Sequence, residues 1–209
     1  MKLGKIEKDV IKEICQLSVV DGYFYLTETN KILRGFVYEK TRNGAYIWKW
    51  YFPLYQKIDN FHLTFGDRID HPEGYIDFDY VSVKERSKAF IELIKKYLPE
   101  VSSLSEPFDF INYQVAHSRY WAKLTNSEPR FNEHTCKALA FSYFLCDDIE
   151  SGKTYWEKYL ESGRHEQREH LKEEFELVDQ ALGENLDSLK LLLNSWVCEN
   201  KQKFNIAEK

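Results

Sequence analysis

The chain has 209 residues, 43% of them hydrophobic and 30% charged, which excludes a disordered chain and leaves ample surface to bury. Its net charge of −5 is uneven: residues 1–100 carry 16 Lys/Arg against 15 Asp/Glu, and residues 101–209 carry 13 against 19. The acidic second half repels phosphate backbones, which speaks against nucleic acid, and it suits a basic protein surface.

The first residues, Met1-Lys2-Leu3-Gly4-Lys5, lack the apolar core of a signal peptide, and no apolar run reaches the ~18 residues of a membrane span. Cys15, Cys136, Cys146 and Cys198 are far apart with no C-x-x-C spacing, as expected of reduced thiols in a cytoplasmic protein. Ile6, Val10, Ile14 and Leu17 form one apolar stripe, which predicts a helix over 5–19 stopped by Asp21-Gly22. Tyr23 to Thr27 has strand composition, and Glu28-Thr29-Asn30 is a polar turn. Residues 31–40 read as a second strand, and Asn43-Gly44 ahead of Ala45-Tyr46-Ile47-Trp48-Lys49-Trp50-Tyr51-Phe52 is a strong hairpin signal. Pro53 and the polar 56–60 stretch give a longer loop before a fourth strand at 61–67.

A two-residue turn at Asn43-Gly44 sets Arg42 opposite Ala45, Tyr38 opposite Lys49, Val37 opposite Trp50 and Phe36 opposite Tyr51. Matching apolar faces then sets Phe52 opposite Phe61, Trp50 opposite Leu63 and Trp48 opposite Phe65. Leu33, Val37, Trp48, Trp50, Phe52, Phe61, Leu63 and Phe65 make the core face. The other face collects Phe36, Tyr38, Ile47, Lys49, Tyr51, His62 and Thr64, too aromatic to stay bare in water. A helix from residues 105–209 is expected to close over it, with the N-terminal helix and a helix at 82–98 on one side of the sheet.

Residues 66–80 form an acidic, turn-rich link. Ser82-Val83-Lys84-Glu85 matches a capping box, and the helix that follows should end near Pro99. Ser105-Glu106-Pro107 and Ser127-Glu128-Pro129 read as two further helix starts. Ala138-Leu139-Ala140-Phe141-Ser142-Tyr143-Phe144, the Asp147-Asp148-Ile149-Glu150 link and Tyr155-Trp156-Glu157-Lys158-Tyr159-Leu160 complete a pair of antiparallel helices. This stretch, about 131–162, resembles a tetratricopeptide-type hairpin, with Tyr155 and Trp156 where that family packs small residues. The resemblance implies a helical hairpin and not that family's peptide groove. Two more helices follow, from about 167 to 182 with Gly183 as C-cap, and from Asn185 with Leu186, Leu189, Leu193, Trp196 and Val197 on one stripe.

The fold class is therefore α+β: a four-stranded antiparallel meander flanked by helices over residues 1–104, then a helical bundle over 105–209. No Gly-, Ser- or Pro-rich linker divides them, so the two are expected to pack as one unit.

Candidate chemistry is sparse. His165 and His170 are five apart, about 140° round a helix, and do not share a face for metal. Asp67, Asp70, His71, Glu73, Asp77 and Asp79 are dense, yet lack the spacing of a calcium loop. No metal or cofactor is expected: there is no phosphate-cradling glycine loop and no G-x-S-x-G elbow. Tyr38, Lys49, Tyr51 and His62 are the candidate ligand or partner face, with His62 the best placed for acid–base work beside Tyr51. His117, Arg119, Tyr120 and Trp121 are a candidate partner patch, since Arg and Trp recur in binding hot spots. The favoured function is non-catalytic binding of another protein, a basic one, in a bacterial-type cytoplasmic chain. A toxin-neutralising (immunity-type) protein is one concrete version. An enzyme or small-ligand binder using the face around Tyr51 and His62, and a structural homo-oligomer, are the alternatives.

Overall fold

In a computed structural model the described residues are 4–58, 60–167 and 169–206, His170 by its backbone alone. They form two compact units, a sheet unit of residues up to Phe52, Phe65–Ser105 and Ile206, and a helical unit of Pro53–Thr64 and Glu106–Asn205.

The sheet unit starts with α1 (Lys5–Glu13), whose inner side buries Val10. β1 (Leu17–Val20) and β2 (Tyr23–Leu26) follow as a hairpin with Val20 opposite Tyr23. The expected helix over 5–19 is thus cut short at Glu13. Asp21 (φ 50°) and Gly22 (φ 83°) both adopt the left-handed conformation of a primed two-residue turn. Asp-Gly ends a helix or turns a hairpin, and the β-branched Val19-Val20 before it tips the balance to the strand. β2 pairs with β3 (Ile32–Lys40), Tyr25 facing Gly35. A Cβ on Gly35 would fall on the Phe24 carbonyl, so only glycine fits there.

Between β3 and β4 (Gly44–Pro53) the turn lies one residue earlier than expected: Thr41 N–H donates to Gly44 O at 2.8 Å, and Gly44 N–H donates to Thr41 Oγ1 at 3.1 Å. Neither Asn43 nor Gly44 has a positive φ. Gly44 is needed for another reason, because a Cβ would strike the Tyr75 ring. Thr41 opposite Gly44, in place of Arg42 opposite Ala45, displaces the register by two, and an even displacement keeps every side chain on its expected face.

The far edge of β4 is met by two short strands. β5 (Asp67–Arg68) sets Arg68 opposite Trp48, and β6 (Tyr75–Asp77) sets Tyr75 opposite Tyr46. The sheet therefore has six strands, in the order β1-β2-β3-β4-β5 with β6 also on β4. The expected fourth strand at 61–67 is replaced by this pair. Pro53 ends β4, and Leu54, Tyr55 and Ile58 are buried in the helical unit instead.

α2 (Arg86–Ser103) covers the second sheet face, a correction to the expected cover from residues 105–209. Its Phe90 ring lies 5.2 Å from both Phe24 and Tyr38, and Arg34 Nε donates to Ser102 O at 3.2 Å. α2 runs through Pro99 to Ser103. The Trp50 side of the sheet holds Tyr23, Trp50, Phe52 and Phe65 in successive ring contacts.

In the helical unit α3 (Pro107–Thr125) opens as expected at Glu106-Pro107, while the second start lies at α4 (Glu133–Leu145), capped by Asn132 to Thr135 N–H at 2.8 Å. α4 and α5 (Ile149–Glu161) form the expected hairpin. The small residue at its close approach is Gly152, which has no room for a Cβ beside the Phe144 ring. A 3-10 turn, Arg164–Glu166, leads to α6 (Glu169–Glu184), and Asn185 caps α7 (Leu186–Lys203). Gly183 lies inside α6 and does not cap it. Trp156 and Trp196 flank Phe141 at 5.5 and 6.0 Å in the centre of this unit.

The returning segment has its main-chain groups satisfied by side chains of α6 and α7. Asn200 Nδ2 donates to Leu54 O and Gln56 O at 2.7 and 2.8 Å, and Lys57 N–H donates to Glu174 Oε1 at 3.2 Å.

Candidate functional site

Tyr38, Lys49 and Tyr51 share a sheet face, but that face is closed by α2. Lys49 Nζ meets Glu100 at 2.6 Å and sits 5.7 Å from the Tyr97 ring centre. Tyr51 is 1% exposed, and burial, followed by the charges of Glu100 and Asp67, pushes its phenol far up. His62 lies on no strand of this sheet. It belongs to the helical unit, with its ring 5.9 Å from that of His134. The strand pairing expected to set His62 opposite Tyr51 does not form, because residues 61–64 are not in a strand.

His62 nevertheless has a distinct titration. Burial first, then the nearby His134 and Lys137, bring it down to about 4 from an ordinary 6.5. Above pH 6.5 it is neutral in both folded and unfolded chains and adds no pH dependence. As pH falls from 6.5 toward 4, the unfolded chain takes the proton first, so stability is lost through that window. A plot of urea midpoint against pH should drop there for the native chain, and His62→Gln should flatten the drop. An unchanged slope in the variant would assign the acid sensitivity to other groups.

The acidic loop residues are dispersed: Asp67 lies in β5, Asp77 in β6, and Glu73 pairs with Lys96. Among the described residues no three His, Cys, Asp or Glu side chains converge as metal ligands. The His165 ring lies 4.9 Å from that of Phe175, and the side chain of His170 lies outside the described residues. All four cysteines are free thiols. No described helix is long and apolar enough to cross a membrane.

The second candidate patch is built by helical spacing on α3. Residues 113, 117, 120, 121 and 124 fall within an arc of about 100°. That arc carries Tyr113, His117, Tyr120, Trp121 and Leu124. Tyr120, Trp121 and Leu124 are 57, 51 and 59% exposed. Arg119, two residues from His117, is turned about 200° away. Its charge is felt instead by the phenols of Tyr143 and Tyr155. The structure thus unites His117, Tyr120 and Trp121, removes Arg119, and adds Tyr113 and Leu124. Their spacing was the signal that could have found those two.

The patch is held in place. Trp121 Nε1 donates to His117 Nε2 at 2.7 Å, which requires that nitrogen to be unprotonated, and the His117 ring stacks on Tyr113 at 8°. Thr125 Oγ1 donates to Trp121 O at 2.8 Å. Beside the stripe is a cleft of about 250 Å³, lined by Thr64, His117, Ser118, Trp121, Arg130 and Phe131 among others. Its wall is fixed by Ser118 Oγ, which donates to Arg130 O at 3.0 Å.

Comparison with known family models, curated proteins and solved structures found no match to this chain.

Proposed function

We propose that this chain binds another protein through the aromatic stripe of α3. The observation that carries the reading is the exposure of Tyr120, Trp121 and Leu124 together on one side of a helix, with Trp121 fixed by His117. Large apolar side chains scattered singly on a surface are ordinary, but several on one stripe mark an interaction site. A prefixed Trp loses little rotamer freedom on contact, which favours its use as an anchor. Spacings of three and four residues fit a helix laid into an apolar groove of the partner. The excess of Asp/Glu over Lys/Arg in residues 101–209, 19 against 13, favours a partner of basic character by steering the encounter. Toxin neutralisation is one form such binding takes, and it rests here on charge and surface chemistry alone.

The test is affinity capture from native lysate with the full chain and with Tyr120→Ala/Trp121→Ala. Hot-spot truncations of this kind cost ~2 kcal/mol or more each, about 30-fold in Kd. The double variant should lose the captured protein while melting at the native temperature, since both side chains are exposed. Equal capture by both chains would reject the stripe as the contact surface. A mass at a multiple of 25.0 kDa that collapses in the variant would transfer the stripe to self-association.

A further inference from the structure

A cavity of about 350 Å³ lies in the sheet unit, between the first turns of α1 and α2 and the sheet. Its walls are mainly apolar, with Phe24, Phe78 and Val83 among them. Two hydroxyls line it: Tyr38 and Ser87. Among the described residues Tyr38 Oη and Ser87 Oγ are both buried without a hydrogen-bond partner, and Ser87 is 5% exposed. Leaving such a group unpaired costs free energy, so two in one cavity call for a physical explanation.

The lining charge is mainly positive. Lys5, Lys40 and Arg86 line the cavity against a single carboxylate, Glu7, which is engaged by the Gly4 N–H. The Arg86 guanidinium is held over the Phe78 ring at 3.6 Å, and its Nε donates to Val81 O at 3.4 Å. Its charge also acts on the Tyr38 phenol, against the upward push of burial. Residues Gly4 to Glu7 and Arg86-Ser87 bring the positive ends of two helices to the same space.

We propose that this cavity binds a small amphiphile with an apolar body and a carboxylate head, the head accepting from Tyr38 Oη and Ser87 Oγ beside Arg86. The site is separate from the α3 stripe and independent of its role. At ~30 Å³ per water-sized group, 350 Å³ holds about a dozen non-hydrogen atoms. The volume and the mainly apolar lining with few polar groups fall in the range of small-molecule sites.

Decanoate, with about that many atoms, is the probe. Isothermal titration of the full chain should show one decanoate bound per chain, with decanol at least about ten-fold weaker and decyltrimethylammonium weaker still. Decyl phosphate binding better than decanoate would overturn the choice of head group. Tyr38→Phe and Ser87→Ala should each weaken decanoate by about three- to ten-fold, and Arg86→Gln by about ten-fold or more. The phenylalanine variant separates ligand binding from folding, because removing an unpaired buried hydroxyl should leave the melting temperature of the free chain equal or higher. Weaker binding with an undiminished melting temperature supports the assignment. No decanoate binding at millimolar concentration, or equal binding by Tyr38→Phe and by the native chain, overturns it.

Discussion

Glu174→Ala should destabilise the chain by about 3–5 kcal/mol, the cost of leaving a buried cation without its partner. Lys137 Nζ lies 2.7 Å from Glu174 Oε2, with the two side chains only 7 and 2% exposed. The other carboxylate oxygen accepts from Lys57 N–H, so the substitution also strands a main-chain donor. Among the described residues Lys137 then keeps the Tyr159 ring, 5.8 Å away, which is a weak substitute for a carboxylate. The urea midpoint of the variant measures the loss. Lys137→Met combined with Glu174→Leu should recover most of it, because the charges then disappear together and the volume stays filled. A single variant within 1 kcal/mol of the native chain would mean that water reaches the lysine.

Trp50→Ala should cost a similar ~3–5 kcal/mol, the range for deleting a large aromatic from a packed core. Trp50 is fully buried in the middle of β4, with Tyr23 at 4.9 Å and Phe52 at 5.6 Å between ring centres. These rings, on β2 and on β4 itself, are held by the sheet and cannot swing far into the gap. Guanidinium unfolding followed by near-ultraviolet circular dichroism reads the change. A loss under 1 kcal/mol would show that the sheet closes over the missing indole.

Trp50 was legible because its strand is long and its burial follows from alternation. A shift of two in the register left that alternation intact. Asp21-Gly22 was legible as punctuation but ambiguous in kind, since the same dipeptide stops helices and turns hairpins. The return of residues 54–58 to the helices was not legible. Leu54, Tyr55 and Ile58 carry no strand period, and the side chains that bond the backbone of Leu54 and Lys57, Asn200 and Glu174, lie more than a hundred residues on. That one misreading carried the fourth strand and the place of His62 with it. On α3 the residue types were visible and the phase was not applied to Arg119. Tyr38 is readable from alternation as a second-face residue, without its cavity neighbours. Ser87 and Arg86 reach it only through the packing of α2, a tertiary fact with no local signature.

The Asn200 bond to Leu54 joins groups 146 residues apart. At ~5–20 residues per second, a ribosome needs roughly 7–30 s to deliver the second after the first. The sheet unit, by contrast, has nearly all of its chain once Ser105 is made. It can close while Pro53–Thr64 stays out as a loop, because loop-closure entropy rises only slowly with length. The carbonyls of Leu54 and Gln56 are meanwhile served by water. Order of synthesis thus lets the sheet unit close before α7 exists to complete the other unit.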